Sequence, residues 1–335
     1  VNHGIDVHTH IIPERFPAYA GKGKDVLWPS MADAGCGHAH VMISGKNYRT
    51  VPHTSWSVPE RTKEMDAMRI ARQVLSPMPE LLSYWFAPED GRAMCRHLNE
   101  TIAEMVQAAP ERFYGLGAVP LQDLDAGVAE LEYVRKGLKL AGVEIASHVN
   151  GVSIGDPRFD SFFAAAESLD AAIFIHALRP AGKDRLVGPP QLEQVVAFPG
   201  DIGLAAASLV TGGTLERHPR LRIALSHGGG AFAMMLPRIQ HGWNVVAAIK
   251  ESIPRPPTEY ARRFYCDNLT YAARTLRLVL ETFGNDKVMI GTDYPFAVRD
   301  PDPHASVDAL KVDAALAAAL REGNARRFLG VGQLG

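Results

Sequence analysis

Ala172-Ile173-Phe174-Ile175-His176 is apolar until its last position, where a single imidazole closes it. A short continuous run of branched and aromatic residues reads as a strand buried on both faces. Before it, residues 159–168 repeat their apolar side chains at helical spacing, and after it residues 203–212 do the same. The unit recurs along the chain. Further strands are predicted at residues 4–8, 72–76, 113–118, 143–146, 221–226, 264–267 and 288–291, and further helices at 91–107, 124–139, 273–283 and 307–320. Strand and helix alternating about eight times predict βαβ units closed into a (β/α)8 TIM barrel. The alternative is a doubly wound open sheet, but no glycine-rich fingerprint follows the first strand to favour it.

Two stretches break the alternation. Residues 11–60, rich in Pro, Gly and aromatics, separate the first two strands, with Val41-Met42-Ile43-Ser44 as an extra strand. Residues 177–198 form a loop punctuated by Pro and Gly after the fifth strand. Both follow the C-terminal end of a strand, the face on which barrel active sites form, so both are expected to line a site. No repeat or domain-sized linker divides the chain. Residues 1–335 are read as one barrel domain with an insertion at 11–60.

Composition narrows the function classes. Of 335 residues 47% are apolar and 21% charged, enough to bury a large core, which excludes a disordered or fibrous protein. A formal net charge of −2 provides no basic excess against a phosphate backbone, so nucleic acid is not an expected partner. No uninterrupted apolar run approaches the roughly 18 residues that would suggest a membrane span. Val1-Asn2-His3-Gly4-Ile5-Asp6 lacks the basic and apolar regions of a secretory signal. Cys36, Cys95 and Cys266 are scattered, as reduced thiols are, and a cytoplasmic protein is expected.

The chemistry gathers at strand ends. In His8-Thr9-His10 two imidazoles at i and i+2 of a strand point the same way and can reach one cation. His176 ends its strand, His227 ends Leu221 to Ser226 ahead of Gly228-Gly229-Gly230, and Asp293 follows Val288-Met289-Ile290-Gly291-Thr292. One histidine at the end of a buried strand is ordinarily a hydrogen-bonded structural residue. Several metal-competent side chains on separate strands of a parallel barrel converge on one rim. Imidazoles with a carboxylate make a Lewis-acid ligand set with a position left for water or substrate.

The chain resembles the amidohydrolase superfamily, and within it the branch of metal-dependent non-oxidative decarboxylases. The resemblance rests on Asp6-Val7-His8-Thr9-His10, Gly45-Lys46-Asn47-Tyr48-Arg49, Val119-Pro120-Leu121-Gln122-Asp123, His227-Gly228-Gly229-Gly230-Ala231-Phe232 and Gly291-Thr292-Asp293-Tyr294-Pro295-Phe296. It implies that His8, His10, His176 and Asp293 hold one divalent metal ion, Zn2+ first and Mn2+ as the alternative. His227 would be the acid/base beside it, managing protons together with Asp293. Arg49 would hold a substrate carboxylate, Phe296 would line the substrate site, and Arg238 would cross a homodimer interface to the neighbouring site. The implied reaction is decarboxylation of a small unsaturated or aromatic carboxylic acid. A metal-dependent hydrolase of an amide or lactone, or a hydratase, is the alternative, with a non-catalytic binding protein as a third reading.

The residue types suit these roles. Arg49 can clamp a carboxylate with a planar fork of donors that Lys lacks, and the ordinary pKa of His227 suits proton transfer near neutrality. Binuclear relatives carry a bridging carbamylated lysine on the fourth strand. Here Gly142-Val143-Glu144-Ile145-Ala146-Ser147-His148 contains none, so one metal is expected, with His148 a support behind the ligands or a structural residue and Glu144 unassigned. One departure concerns specificity. Where the branch has Pro-Trp-Asp after the strand-five histidine, this chain has Ala177-Leu178-Arg179-Pro180, and residues 181–190 contain no aromatic side chain. Arg179 becomes a candidate for a second anionic group of the substrate.

Overall fold

The fold follows from where the apolar residues fall along each strand. The computed structural model describes residues 3–332. Val1 and Asn2, the start of the N-terminal stretch read above, and residues 333–335 lie outside the described residues. In chain order the strands are β1 (Ile5–Ile11), β2 (Ser30–Gly35), β3 (His38–Ile43), β4 (Lys46–Pro52), β5 (Arg72–Pro77), β6 (Phe113–Gly117), β7 (Gly142–Ala146), β8 (His148–Val149), β9 (Val152–Ser153), β10 (Ala172–His176), β11 (Arg222–Leu225), β12 (Tyr265–Asp267) and β13 (Val288–Met289). Eight of them form one sheet in the order β1-β5-β6-β7-β10-β11-β12-β13, every pair parallel. Backbone bonds from Val7 N to Ile290 O (2.8 Å) and from His10 N to Tyr294 O (2.7 Å) join the last strand to the first. This is a TIM barrel of eight parallel strands.

Period-two alternation sorts each strand into an inner and an outer set. Ala172 and Phe174 join Ile5, Val7, Val74, Leu116, Ala224 and Met289 in the inner cluster, while Ile173 and Ile175 pack outward. His176 is in phase with Phe174 and therefore faces inward. In β1 the register shifts between Asp6 and Thr9. That irregularity lets His8 and His10 turn to the interior after Ile5 and Val7 have already done so.

Helices cover the outside, among them Pro88–Ala108, Leu124–Glu132, Phe198–Thr211, Phe232–Val245 and Ala273–Phe283. Asp123 caps Leu124–Glu132 by accepting from Ala126 N at 3.1 Å. The stretch predicted as one helix at 307–320 is broken. Pro303–Asp308 ends, Lys311 turns into the left-handed region (φ 55°), and Asp313 starts Ala314–Ala318 by accepting from Leu316 N at 2.7 Å. The loop predicted at 177–198 contains a helical turn, Glu193–Ala197, that runs directly into Phe198–Thr211. By length and composition the combined Glu193–Thr211 is apolar enough to cross a bilayer. Half of it is buried, with Phe198, Ile202, Ala205 and Leu209 in the core.

Between β1 and β5 lies the antiparallel sheet β2-β3-β4. Ala39, Val41 and Ile43 of β3 alternate inward and are buried, so this sheet packs on the barrel and carries β4 to its rim.

Candidate metal centre

His8, His10, His176 and Asp293 come together where β1, β10 and the segment after β13 end. One ligand atom from each lies within 4.8 Å of all the others, and all four residues are buried. The outer nitrogen of each imidazole is committed. His8 Nδ1 bonds to Asp267 Oδ2 at 2.7 Å, His10 Nδ1 to the Pro77 carbonyl at 3.1 Å and His176 Nδ1 to the Ala177 carbonyl at 2.8 Å. A carbonyl or carboxylate oxygen only accepts, so each Nδ1 carries a proton, and in the neutral ring Nε2 keeps a lone pair for a metal. Those three Nε2 atoms and Asp293 Oδ1 are buried without a hydrogen-bond partner. Asp293 Oδ1 is 3.2 Å from His10 Nε2 and 3.5 Å from His8 Nε2. Four acceptors turned on one another with no donor repel unless a cation lies among them, so the set fits a divalent metal ion.

Close packing builds the centre. A Cβ on Gly291 would come within 2.5 Å of Asp267 Cβ and 2.8 Å of His8 Cβ, so only glycine lets the end of β13 approach so near. His227 and Asp293 both hold left-handed backbone, φ 56° and 65°. Such strain in non-glycine residues is kept where surrounding structure enforces it.

His227 borders the cluster, its ring centroid 5.2 Å from that of His8 and 5.0 Å from that of His176. Its Nδ1 is 3.0 Å from Ser226 Oγ. Burial, with His8 beside it, pushes the imidazole down to about 4. Glu144, left open by the sequence, lies inside the barrel: Oε2 is 2.7 Å from Ser76 Oγ and 3.7 Å from His10 Nδ1, and burial pushes its carboxyl up to about 8. His148 bonds the Arg179 carbonyl through Nε2 (3.1 Å) and accepts from Gly151 N (3.1 Å), so it ties loops together outside the cluster.

The substrate-binding candidates separate. Arg49, on β4, lies over the Phe296 ring, Cζ 3.8 Å from its centroid, and Phe296 stacks on His10 at 5.1 Å and 20°. Arg179 lies over Trp85 with Cζ 3.3 Å from the ring centroid. It shares a cavity of about 760 Å3 with Tyr48 and Glu80, a buried carboxyl that accepts from the Tyr48 hydroxyl. The aromatic wall missing from residues 181–190 is supplied to Arg179 by Trp85, after β5. Arg238 is not brought to this cluster; it stands exposed on Phe232–Val245.

Several residues behind the centre escaped the sequence reading. Asp267 ends β12 and holds His8, and it also accepts from the backbone of His227 (2.9 Å), Gly228 (2.7 Å) and Leu269 (3.0 Å). The strand-end rule that picked out His176 would have found it. Asp6 accepts from Thr292 Oγ1 (2.7 Å) and Gln73 Nε2 (3.2 Å), and Gln73 Oε1 accepts from Arg61 Nε (2.8 Å). Arg61, fully buried, also donates to the His10 carbonyl at 2.9 Å. Nothing in the sequence singles out Arg61 from other helix arginines.

Comparison with known proteins agrees with this architecture. The amidohydrolase family model matches residues 5–331. A 2-amino-3-carboxymuconate-6-semialdehyde decarboxylase of Dictyostelium discoideum is 35% identical over 98% of this chain and 91% of its own length. A gamma-resorcylate decarboxylase of Rhodococcus jostii is 29% identical over 70% and 76%. The crystal structure of 5-carboxyvanillate decarboxylase from Sphingomonas paucimobilis superposes with a TM-score of 0.74 at 28% identity, covering 82% of this chain and 83% of that one. With its eight-stranded parallel barrel and a family match over nearly its whole length, this chain belongs to the amidohydrolase family.

Proposed function

We propose that the protein is a metal-dependent non-oxidative decarboxylase, a carboxy-lyase acting on a small unsaturated or aromatic carboxylic acid. The observation that carries this reading is the buried set of unpartnered acceptors, His8, His10 and His176 Nε2 with Asp293 Oδ1, set beside an arginine that lies over Phe296. The names of the relatives supply the reaction class. The four ligands would hold one divalent cation, Zn2+ before Mn2+, which when bound supplies a Lewis acid for an oxygen of the substrate or of water.

The remaining steps belong to the chain itself. Arg49 holds the substrate's anionic group from its place over Phe296. His227, neutral near pH 7, relays a proton from water to the carbon that bears the carboxylate, with Asp293 at the same locus, and the hydroxide left behind takes up the released CO2 as bicarbonate. Protonation there interrupts conjugation. Cleavage of the carbon–carboxylate bond returns its electron pair to the conjugated system, and CO2 leaves. Arg179 is offered to a further anionic or polar group on the Tyr48–Glu80 side. Arg238, exposed on its helix, is assigned to the neighbouring subunit's site in a homodimer.

CO2 release by metal-loaded protein, measured over aromatic and muconate-type acids with a metal-free control, tests the proposal. Metal-dependent release supports it. Hydrolysis or hydration of an acid in the panel without CO2 would replace it with the hydrolase or hydratase reading.

A further inference from the structure

Tyr48, on β4, and Glu80, after β5, meet in the polar cavity of about 760 Å3 that Arg179 also lines. This cavity adjoins the candidate centre. Arg49, next to Tyr48 in the chain, lies over Phe296, which stacks on His10. Gln194 lines both this cavity and the one bordered by His227 and Asp293. Glu80 is only 7% exposed, yet its carboxyl is half committed. Oε1 accepts from the Tyr48 hydroxyl, while Oε2 meets no other side-chain donor and no Lys or Arg of this chain stands within ion-pair distance, among the described residues. Lys183, on the far wall, is already paired with Glu193 at 3.5 Å, and the Arg179 guanidinium lies over Trp85. Water reaches such a carboxyl through the cavity. A ligand that displaces this water must bring a donor of its own or forfeit the bond.

We propose that Glu80 sets substrate choice: the acid carries, on the side of Tyr48, an uncharged hydroxyl or primary amide that donates to Glu80 Oε2 and accepts from Arg179. The inference rests on the decarboxylase reading above and specifies its substrate class. Glu80 and Arg179 line one cavity without pairing, so a group that both donates and accepts completes both of them. A methyl ether has no proton to give. A second carboxylate meets Arg179 but turns its own charge on Glu80. A site built around a buried acceptor rejects the analogue that lacks the donor far more strongly than an apolar pocket rejects a missing methylene.

The test uses metal-loaded protein and 2-hydroxybenzoic acid bearing a hydroxyl, methoxyl or carboxyl group at C4, with the same set at C5. It reads kcat/KM from CO2 release and, separately, binding by calorimetry. In at least one series the hydroxy acid should exceed its methoxy counterpart by about 100-fold or more, with the carboxy acid below the hydroxy acid. Glu80→Leu should collapse that ratio to within about threefold. Glu80→Gln, of the same shape but able to present an N–H to the ether oxygen, should shrink it by about tenfold or more. Tyr48→Phe keeps the carboxyl and should preserve the ratio. A loss in Glu80→Leu that is equal for every acid would make Glu80 a prop for its neighbours and overturn the inference, as would preference for the carboxy acids. The same uniform loss in Arg238→Gln would overturn it too, because the neighbouring subunit's arginine would then occupy Oε2. CO2 release with no hydroxy preference would sink the role of Glu80 alone. Calorimetric preference for the hydroxy acid that is lost in Glu80→Gln, without CO2 release from any acid, would keep that role and reject the decarboxylase. Neither binding nor release from any acid would overturn both.

Discussion

Arg49 lies over Phe296, its guanidinium carbon 3.8 Å from the ring centroid, and the same ring stacks against His10 at 5.1 Å. One residue comes from the sheet between β1 and β5, the other from the segment after β13. The contact carries a cation to the edge of the metal centre. No carboxylate lies within salt-bridge distance of Arg49 among the described residues.

Phe296→Leu should therefore loosen Arg49 without removing it. We expect kcat/KM to fall roughly 10- to 100-fold with bound metal unchanged, and Arg49→Lys to fall at least as far because the forked geometry is lost. Steady-state kinetics beside metal analysis checks this. Full activity in Arg49→Lys would remove the arginine from the carboxylate.

Asp267 holds His8 through Nδ1 at 2.7 Å. Asp267→Asn should weaken metal affinity by roughly 10- to 100-fold, the usual cost of a lost partner behind a ligand. Competition with a chelator measures it. An unchanged affinity would make Asp267 a partner of the glycine turn only.

His227→Ala should leave the four ligand residues intact and lower kcat by roughly 10²- to 10⁴-fold, the range for a lost proton-transfer group. Metal content and single-turnover CO2 release together decide it. Wild-type turnover in that variant would end the proton-transfer role.

Arg61 is buried and spans Gln73 Oε1 and the His10 carbonyl. Arg61→Met strands both acceptors inside the protein, and about 3–5 kcal/mol of unfolding free energy should be lost. Urea denaturation of the metal-free protein reads this without interference from the ligand. A loss below about 1 kcal/mol would mean that water replaces the guanidinium.

Metal binding should raise stability by about 2.7 kcal/mol when free metal is 100 times its Kd, and chelation should remove that increment. Protons compete for the Nε2 lone pairs of His8, His10 and His176, so affinity must fall as pH falls. Thermal unfolding with and without metal at two pH values tests the sign. A metal increment that grows on acidification would rule out these histidines as ligands.

The barrel was legible in the sequence from local rules, and so was the meeting of several metal-competent side chains on one rim, while the choice of His8, His10, His176 and Asp293 among them came from the family resemblance. Strand 172–176 showed its buried character in composition, and in a closed parallel barrel the C-terminal ends of β1, β10 and β11 have only one rim on which to meet. The His-x-His spacing placed two imidazoles on one face before any fold was known. The partners of those residues were not legible. His8 meets Asp267 across 259 positions, and Arg49 reaches Phe296 only because the β2-β3-β4 sheet folds back on the rim. Arg61 looks like any helix arginine until packing buries it against the His10 carbonyl. The cavity that joins Tyr48, Glu80 and Arg179 belongs to tertiary structure as well. Its walls come from loops after different strands, and their juxtaposition is set by barrel closure and side-chain packing, which no local pattern encodes.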